Sequence, residues 1–200
     1  MPILTKVNIC FSLWVPTILV RIAVWIVLVY RRVRYGYRFR RIRLTRGKYA
    51  IVDAEDFEGL NEYKWHCTYH GYATRIIYKE TVKGKKAISI YMHRLLCPAP
   101  EGMIVDHINR NSLDNRKVNL RAATQKQNVW NRKFLRRRGK SQYNGIRWDN
   151  NREKWQVRLM INGQRKSFGY YADEIEAAKV YDRAAKKYRG EYAYLNFPKK

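Results

Sequence analysis

The chain has 200 residues, 46% of them apolar, and its 42 Lys and Arg against 16 Asp and Glu give a formal charge of +26. That length suits one or two small domains with real cores, and the charge far exceeds the magnitude of roughly 2–8 that keeps a small domain soluble. The excess points to a polyanionic partner, nucleic acid first and an anionic membrane surface second, and Cys10, Cys67 and Cys97 lie too far apart for a disulfide framework or a structural zinc site. Reduced thiols and an intracellular setting follow from that spacing.

Residues 7–30 hold one charge, Arg21, and one proline, Pro16, over 24 positions. That is long enough to span a bilayer, although a central Arg costs about 2.5–3.5 kcal/mol on insertion scales. RRVRYGYRFRRIR follows with seven Arg, which would keep the rest of a spanning chain cytoplasmic, and no small-residue cleavage site appears. Two readings stay open for residues 1–40: a membrane segment, or an extension upstream of the natural start. Membrane association enters the expectations only through residues 7–30.

Residues 41–135 have a mixed rhythm. Residues 48–52 read as a strand, 53–61 as an acidic turn into a short helix, and 73–78 and 87–91 as strands with Gly84 in their turn. Residues 93–97 look helical, stopped by Pro98 and Pro100. Residues 103–108 form a short β-rich run, 111–119 a polar turn region, and Thr124 with Gln127 has capping-box spacing for a helix carrying Asn128 in its first turn.

The stretch VDHINRNSLDNRKVNLRAATQKQN places an acid, an imidazole and carboxamides at set intervals. Cutting a phosphodiester needs an activated water, a cation against the scissile phosphate and relief of charge on the leaving oxygen. Asp106 offers a carboxylate for a hard cation, Asn128 a neutral amide oxygen, and His107 an imidazole able to take a proton near pH 7. Adjacent strand residues point to opposite faces, so Asp106 and His107 can serve one site only at a strand end or bulge.

Over residues 42–133, through IRLTRGKYAIVD, MHRLLCPAPEGMIVDHINRN, LDNRKVNLR and TQKQN, the chain resembles the HNH endonuclease family. The likeness is to its phage and homing-type branch, with an HNN form of the signature. The resemblance implies a ββα-metal core with His107 as general base and Asp106 and Asn128 on a divalent cation. Asn119 would hold the loop that orients His107, and His93 would be a phosphate contact or a structural residue. Asn128 in the last signature position favours Mg2+ or Mn2+ over zinc.

RKFLRRRGK at 132–140 carries six Lys or Arg and no acid, and residues 136–141 read as a basic linker. Residues 142–198 then read as three strands and a helix. Trp155, Val157, Leu159 and Ile161 alternate with polar positions, and Asn162-Gly163 is a strong hairpin turn. Ile146 and Trp148 share one side of the first strand with Arg147 on the other, and Phe168 points inward where Arg165 and Ser167 point out. Asp173 to Glu176 has capping-box logic, and Ala177, Ala178, Tyr181, Ala184, Ala185 and Tyr188 form a small-residue stripe stopped by Gly190. Arg147, Arg158 and Arg165 then converge on the open face of the sheet, which could enter a DNA major groove.

YNGIRW, KWQVRL and GYYADEIEAAKVYDRAAKKYRGEYAYLNFP resemble the ethylene-response-factor (AP-two) DNA-binding domain over 142–198. The resemblance implies DNA-facing Arg147, Arg158 and Arg165, with Trp148 and Ser167 as further contacts. Asn144, the REKW segment and Arg158 depart from the plant pattern, so no sequence preference carries over. The expected fold is α+β, a ββα-metal nuclease core followed by a three-stranded antiparallel sheet packed on one helix. The expected function is metal-dependent nicking of double-stranded DNA at a site selected by the C-terminal module, by a monomer or weak dimer. The alternative is a DNA-binding regulator with an inactive HNH core.

Overall fold

The computed structural model describes residues 4–8, 12–82, 84–132 and 140–198. It is an α+β chain that divides into two compact units, Met1–Pro98 with Asn111–Leu120, and Ala99–Arg110 with Arg121–Lys200. Cys10 and most of the expected 136–141 linker lie outside the described residues.

In the first unit, β1 (Leu4–Asn8) and β2 (Ser12–Pro16) form an antiparallel hairpin, and α1 (Thr17–Tyr35) follows. The apolar stretch expected as a candidate span is thus divided between strand and helix. The helix starts only after Pro16 and carries Arg21, Arg31, Arg32 and Arg34. No helix among the described residues is long and apolar enough to cross a membrane.

β3 (Phe39–Arg43) and β4 (Tyr49–Asp53) pair antiparallel, with alternate residues Ile42, Ala50 and Val52 buried. α2 (Phe57–Asn61) adds Phe57 and Leu60 to that core by its three-residue spacing, and the Trp65 indole donates to Leu60 O at 2.8 Å. β5 (His66–Cys67), β6 (Ala73–Thr81) and β7 (Gly84–Tyr91) form a second antiparallel sheet, longer than the alternation suggested, with Gly84 opening β7 rather than sitting in the turn. α3 (Met92–Leu96) buries Met92 completely against Leu44, Trp65, Cys67 and Ala73.

The 111–120 segment joins this unit through the outer edge of β4. Ile51 N donates to Leu113 O and Asn115 N to Ile51 O, both at 2.8 Å, so the segment adds a short parallel bridge to the hairpin. Lys117 N donates to Asp53 Oδ2 at 2.8 Å, and its ammonium meets Glu55 and Asp56.

In the second unit, β8 (Ile104–His107) pairs with β9 (Leu120–Ala123), and α4 (Gln125–Asn131) follows. Thr124 Oγ1 accepts from Gln127 N at 3.2 Å while Gln127 Oε1 accepts from Thr124 N at 2.8 Å, the reciprocal cap that fixes where α4 starts. β10 (Ile146–Asp149), β11 (Lys154–Ile161) and β12 (Gln164–Tyr171) form a three-stranded antiparallel sheet in that order. Asn162 and Gly163 both take positive φ in the β11–β12 turn, which is why that dipeptide serves there.

α5 (Glu174–Arg189) starts where the Asp173 carboxylate accepts from Glu176 N at 2.7 Å and ends at Gly190. Its Ala177, Ala178, Tyr181, Ala184 and Ala185 pack on Ile146, Val157 and Leu159 of the sheet. Tyr188, expected in the same stripe, is instead 38% exposed beside Phe168, and Arg189 takes the buried position in the last turn. Small residues bring helix and sheet so close that a Cβ on Gly145, at φ +74°, would come within 2.1 Å of the Tyr181 ring. Only glycine fits there.

Candidate functional site

His107 is the last residue of β8, so the strand-end condition for it to work beside Asp106 is met. The chain turns at once, with Arg110 N donating to His107 O at 2.9 Å. Both side chains are buried, at 4% exposure for Asp106 and 6% for His107.

Two residues without an expected role hold this strand end. Asn131, the last residue of α4, shares its Nδ2 between both Asp106 carboxylate oxygens at 3.0 Å and donates to His107 O at 2.9 Å. Arg121 on β9 donates from Nε at 3.0 Å and Nη2 at 2.9 Å, both to Asp106 Oδ2. The signal for Arg121 was a base on the strand that follows the acid's strand, where opposite charges pair across the ladder. For Asn131 it was the three-residue step from Asn128, which puts both carboxamides on one helix face. Asn128 itself is half-buried on α4.

The remaining carboxamides serve the 111–120 loop, in the first unit. Asn111 Oδ1 accepts from Leu113 N at 3.1 Å, a local turn closure, and Asn115 is fully buried on β4. Asn119 Nδ2 donates to Asp114 O at 2.7 Å, tying the end of the short Lys117–Asn119 turn back across the loop. Asp114 takes a fork from Arg116, Nε to Oδ1 at 2.7 Å and Nη2 to Oδ2 at 2.6 Å, and Arg116 lies over the Tyr37 ring. Its hydrogen bond to Asp114 raises the Arg116 pKa against the opposing effect of burial. His93, on α3, is buried between the Tyr72 and Tyr91 rings, at centroid distances of 5.2 and 5.4 Å.

The donor set at β8 suits a hard cation. Oδ2 of Asp106 accepts from Arg121 Nε and Nη2 and from Asn131, while Oδ1 accepts from Asn131, which leaves Oδ1 the less crowded oxygen for a ligand bond. Hard divalent cations take one or two carboxylates and keep several waters. No cluster of three His, Cys, Asp or Glu suited to a metal occurs among the described residues.

On the C-terminal sheet, Arg147 stands opposite Gln156, Arg158 opposite Ser167, and Arg165 opposite Met160. Burial and the charges of Arg147 and Arg165 lower the Arg158 pKa, the signature of three guanidinium groups gathered on one face. Gln156 Nε2 donates to Ser167 Oγ at 3.3 Å and Tyr170 Oη at 3.0 Å on that face. Trp148 lies on the other side of β10 from Arg147, with its ring edge-on to Trp155 at 4.9 Å.

The profile of a family described as HNH endonuclease matches residues 91–130, which span α3, β8, β9 and most of α4. "Uncharacterized HNH endonuclease L560" of Acanthamoeba polyphaga mimivirus is 28% identical over 155 residues, 76% of each chain. "Protein 3.8" of Escherichia phage T7 is 31% identical over 96 residues, covering 48% of this chain and 78% of that one. Residues 91–130 thus carry an HNH endonuclease domain, and the chain is similar to these two viral proteins.

Proposed function

We propose that the chain is a metal-dependent endonuclease that nicks double-stranded DNA, with Mg2+ or Mn2+ as cofactor and the C-terminal sheet selecting the site. The observation that carries this reading is the end of β8, where Asp106 is buried beside His107 and pinned by Asn131 and Arg121, with fewer donors on Oδ1 than on Oδ2.

Asp106 and Asn128 would hold the cation. When bound, that cation offsets charge on the scissile phosphate and the leaving oxygen. His107 takes the proton from the water that attacks phosphorus, and the P–O3′ bond breaks to leave 5′-phosphate and 3′-hydroxyl ends. Asn119 keeps the 111–120 loop closed through Asp114 O. His93, packed between two tyrosines, fits a structural role better than a direct phosphate contact. A single site per chain cuts one strand at each visit.

The sheet's face supports the DNA-reading half of the proposal. Arg147, Arg158 and Arg165 repel one another, a cost that a line of phosphates or guanine edges would relieve. Trp148, turned to Trp155, supports the sheet rather than the contact face.

The test is relaxation of supercoiled plasmid by the full chain, with magnesium or with chelator, beside His107→Ala. Relaxation that requires both the metal and His107 is the expected result. Retained DNA binding without cleavage, across a library of sites, would instead make the chain a DNA-binding regulator with an inactive core.

A further inference from the structure

The Arg121 guanidinium does more than neutralise an acid. Its Nε and Nη2 converge on one oxygen of Asp106, while Nη1 turns away and donates to Glu191 O at 2.9 Å. The ring of Tyr192 lies 4.0 Å from the guanidinium carbon, and Tyr192 Oη donates to Ala122 O at 3.1 Å, beside Arg121 on β9. Glu191 and Tyr192 belong to the short helical turn Gly190–Tyr192, which follows α5 of the C-terminal module. The side chain so enclosed is only 11% exposed.

We propose that Arg121 is a positioning residue that fixes the Asp106 carboxylate for its cation, and that the Gly190–Tyr192 turn of the C-terminal module holds Arg121 in place. The inference rests on the reading of Asp106 as a cation ligand given above. Three features carry it. The fork saturates Oδ2 and so turns the remaining coordination of the carboxylate to Oδ1. A planar guanidinium can bond Asp106 and Glu191 at once with fixed angles, which a lysine ammonium cannot reproduce. Finally, the ring beneath it and the Glu191 carbonyl come from the module expected to grip DNA, so reader and carboxylate share one side chain.

The test uses the full chain in four forms: unaltered, Asp106→Asn, Arg121→Lys and Tyr192→Leu. Mn2+ affinity is read by electron paramagnetic resonance without DNA, beside kcat, KM for DNA and thermal unfolding. Both Arg121→Lys and Tyr192→Leu are expected to weaken Mn2+ binding about tenfold to a hundredfold, as outer-shell partners of metal ligands do. The loss should appear in kcat, with KM for DNA unchanged. Tyr192→Leu leaves Asp106 and Arg121 in the chain and decides the matter alone if Arg121→Lys fails to fold. Mn2+ binding that depends on Asp106 yet is unaltered in both variants overturns the role of Arg121 and leaves the nuclease reading standing. Mn2+ binding absent, or indifferent to Asp106→Asn, overturns both.

Discussion

Asp106 and Asp114 are both buried, and each is met by an arginine, 15 residues away for the first and two for the second, yet their carboxylates are spent differently. Arg116 bonds Asp114 side-on, Nε to one oxygen and Nη2 to the other, and closes it to anything else on that edge. Arg121 sets both of its nitrogens on a single oxygen of Asp106 and leaves the other to Asn131. The first pair is a fastener for the 111–120 loop, beside the bridge to β4. The second is a carboxylate with a defined open direction. Burial and an opposite charge are therefore common to both, and only the count of donors at each oxygen separates a structural acid from a candidate ligand.

The largest expected effect is on catalysis. Asp106→Asn should lower the nicking rate by about 10²–10⁴-fold, the scale of losing a principal catalytic function, while circular dichroism remains that of the parent. Comparable nicking by Asp106→Asn would break the contrast between the two acids. Asp114→Ala should act the other way, because it strands the Arg116 guanidinium. Breaking a buried pair costs about 3–5 kcal/mol, so urea should unfold this variant at a clearly lower midpoint. An unchanged midpoint would show that Asp114 is not the fastener its geometry suggests.

Arg158→Ala tests whether the C-terminal face works separately from the β8 site. It should weaken DNA binding and reduce the salt dependence of log K by about one phosphate's worth, with metal affinity untouched. A binding isotherm at two salt concentrations is enough to check it. The smallest change is Thr124→Ala, which removes the cap of α4 and should cost about 1 kcal/mol of stability. Because α4 carries both Asn128 and Asn131, a loss of nicking larger than the loss of stability would mean that the cap also sets the site.

Several features were legible in the sequence because their chemistry is local. The capping box of α4 needs only Thr124 and Gln127, and the β11–β12 turn needs only Asn162-Gly163. The inward stripe of α5 followed from its alanines, apart from Tyr188, which is exposed while its neighbour Arg189 is buried. The strand end at His107 was stated as a condition, and the turn after Asp106-His107 meets it.

What was not legible depends on partners far away in the chain. Lys117 finds Asp53 across 64 positions, and Arg121 finds Glu191 across 70, distances at which no periodicity carries information. Of the carboxamides that recur through this stretch, Asn111 and Asn119 secure a loop while Asn131, which had no expected role, holds a carboxylate. Carboxamides are chemically alike, and their role is fixed only by what faces them.

The sequence by itself therefore determined the residue types, the short strand carrying Asp106-His107 with the capped helix that follows, and the strongly basic charge. Those properties reside in composition and in spacings of a few residues, which the backbone repeat converts directly into helix, strand and turn. The tertiary structure alone decided which oxygen of Asp106 is the less crowded, which asparagine reaches it, and that the Gly190–Tyr192 turn closes over Arg121. Hydrogen-bond direction at a buried carboxylate is set by groups brought together from separate elements, and that meeting exists only in the folded chain.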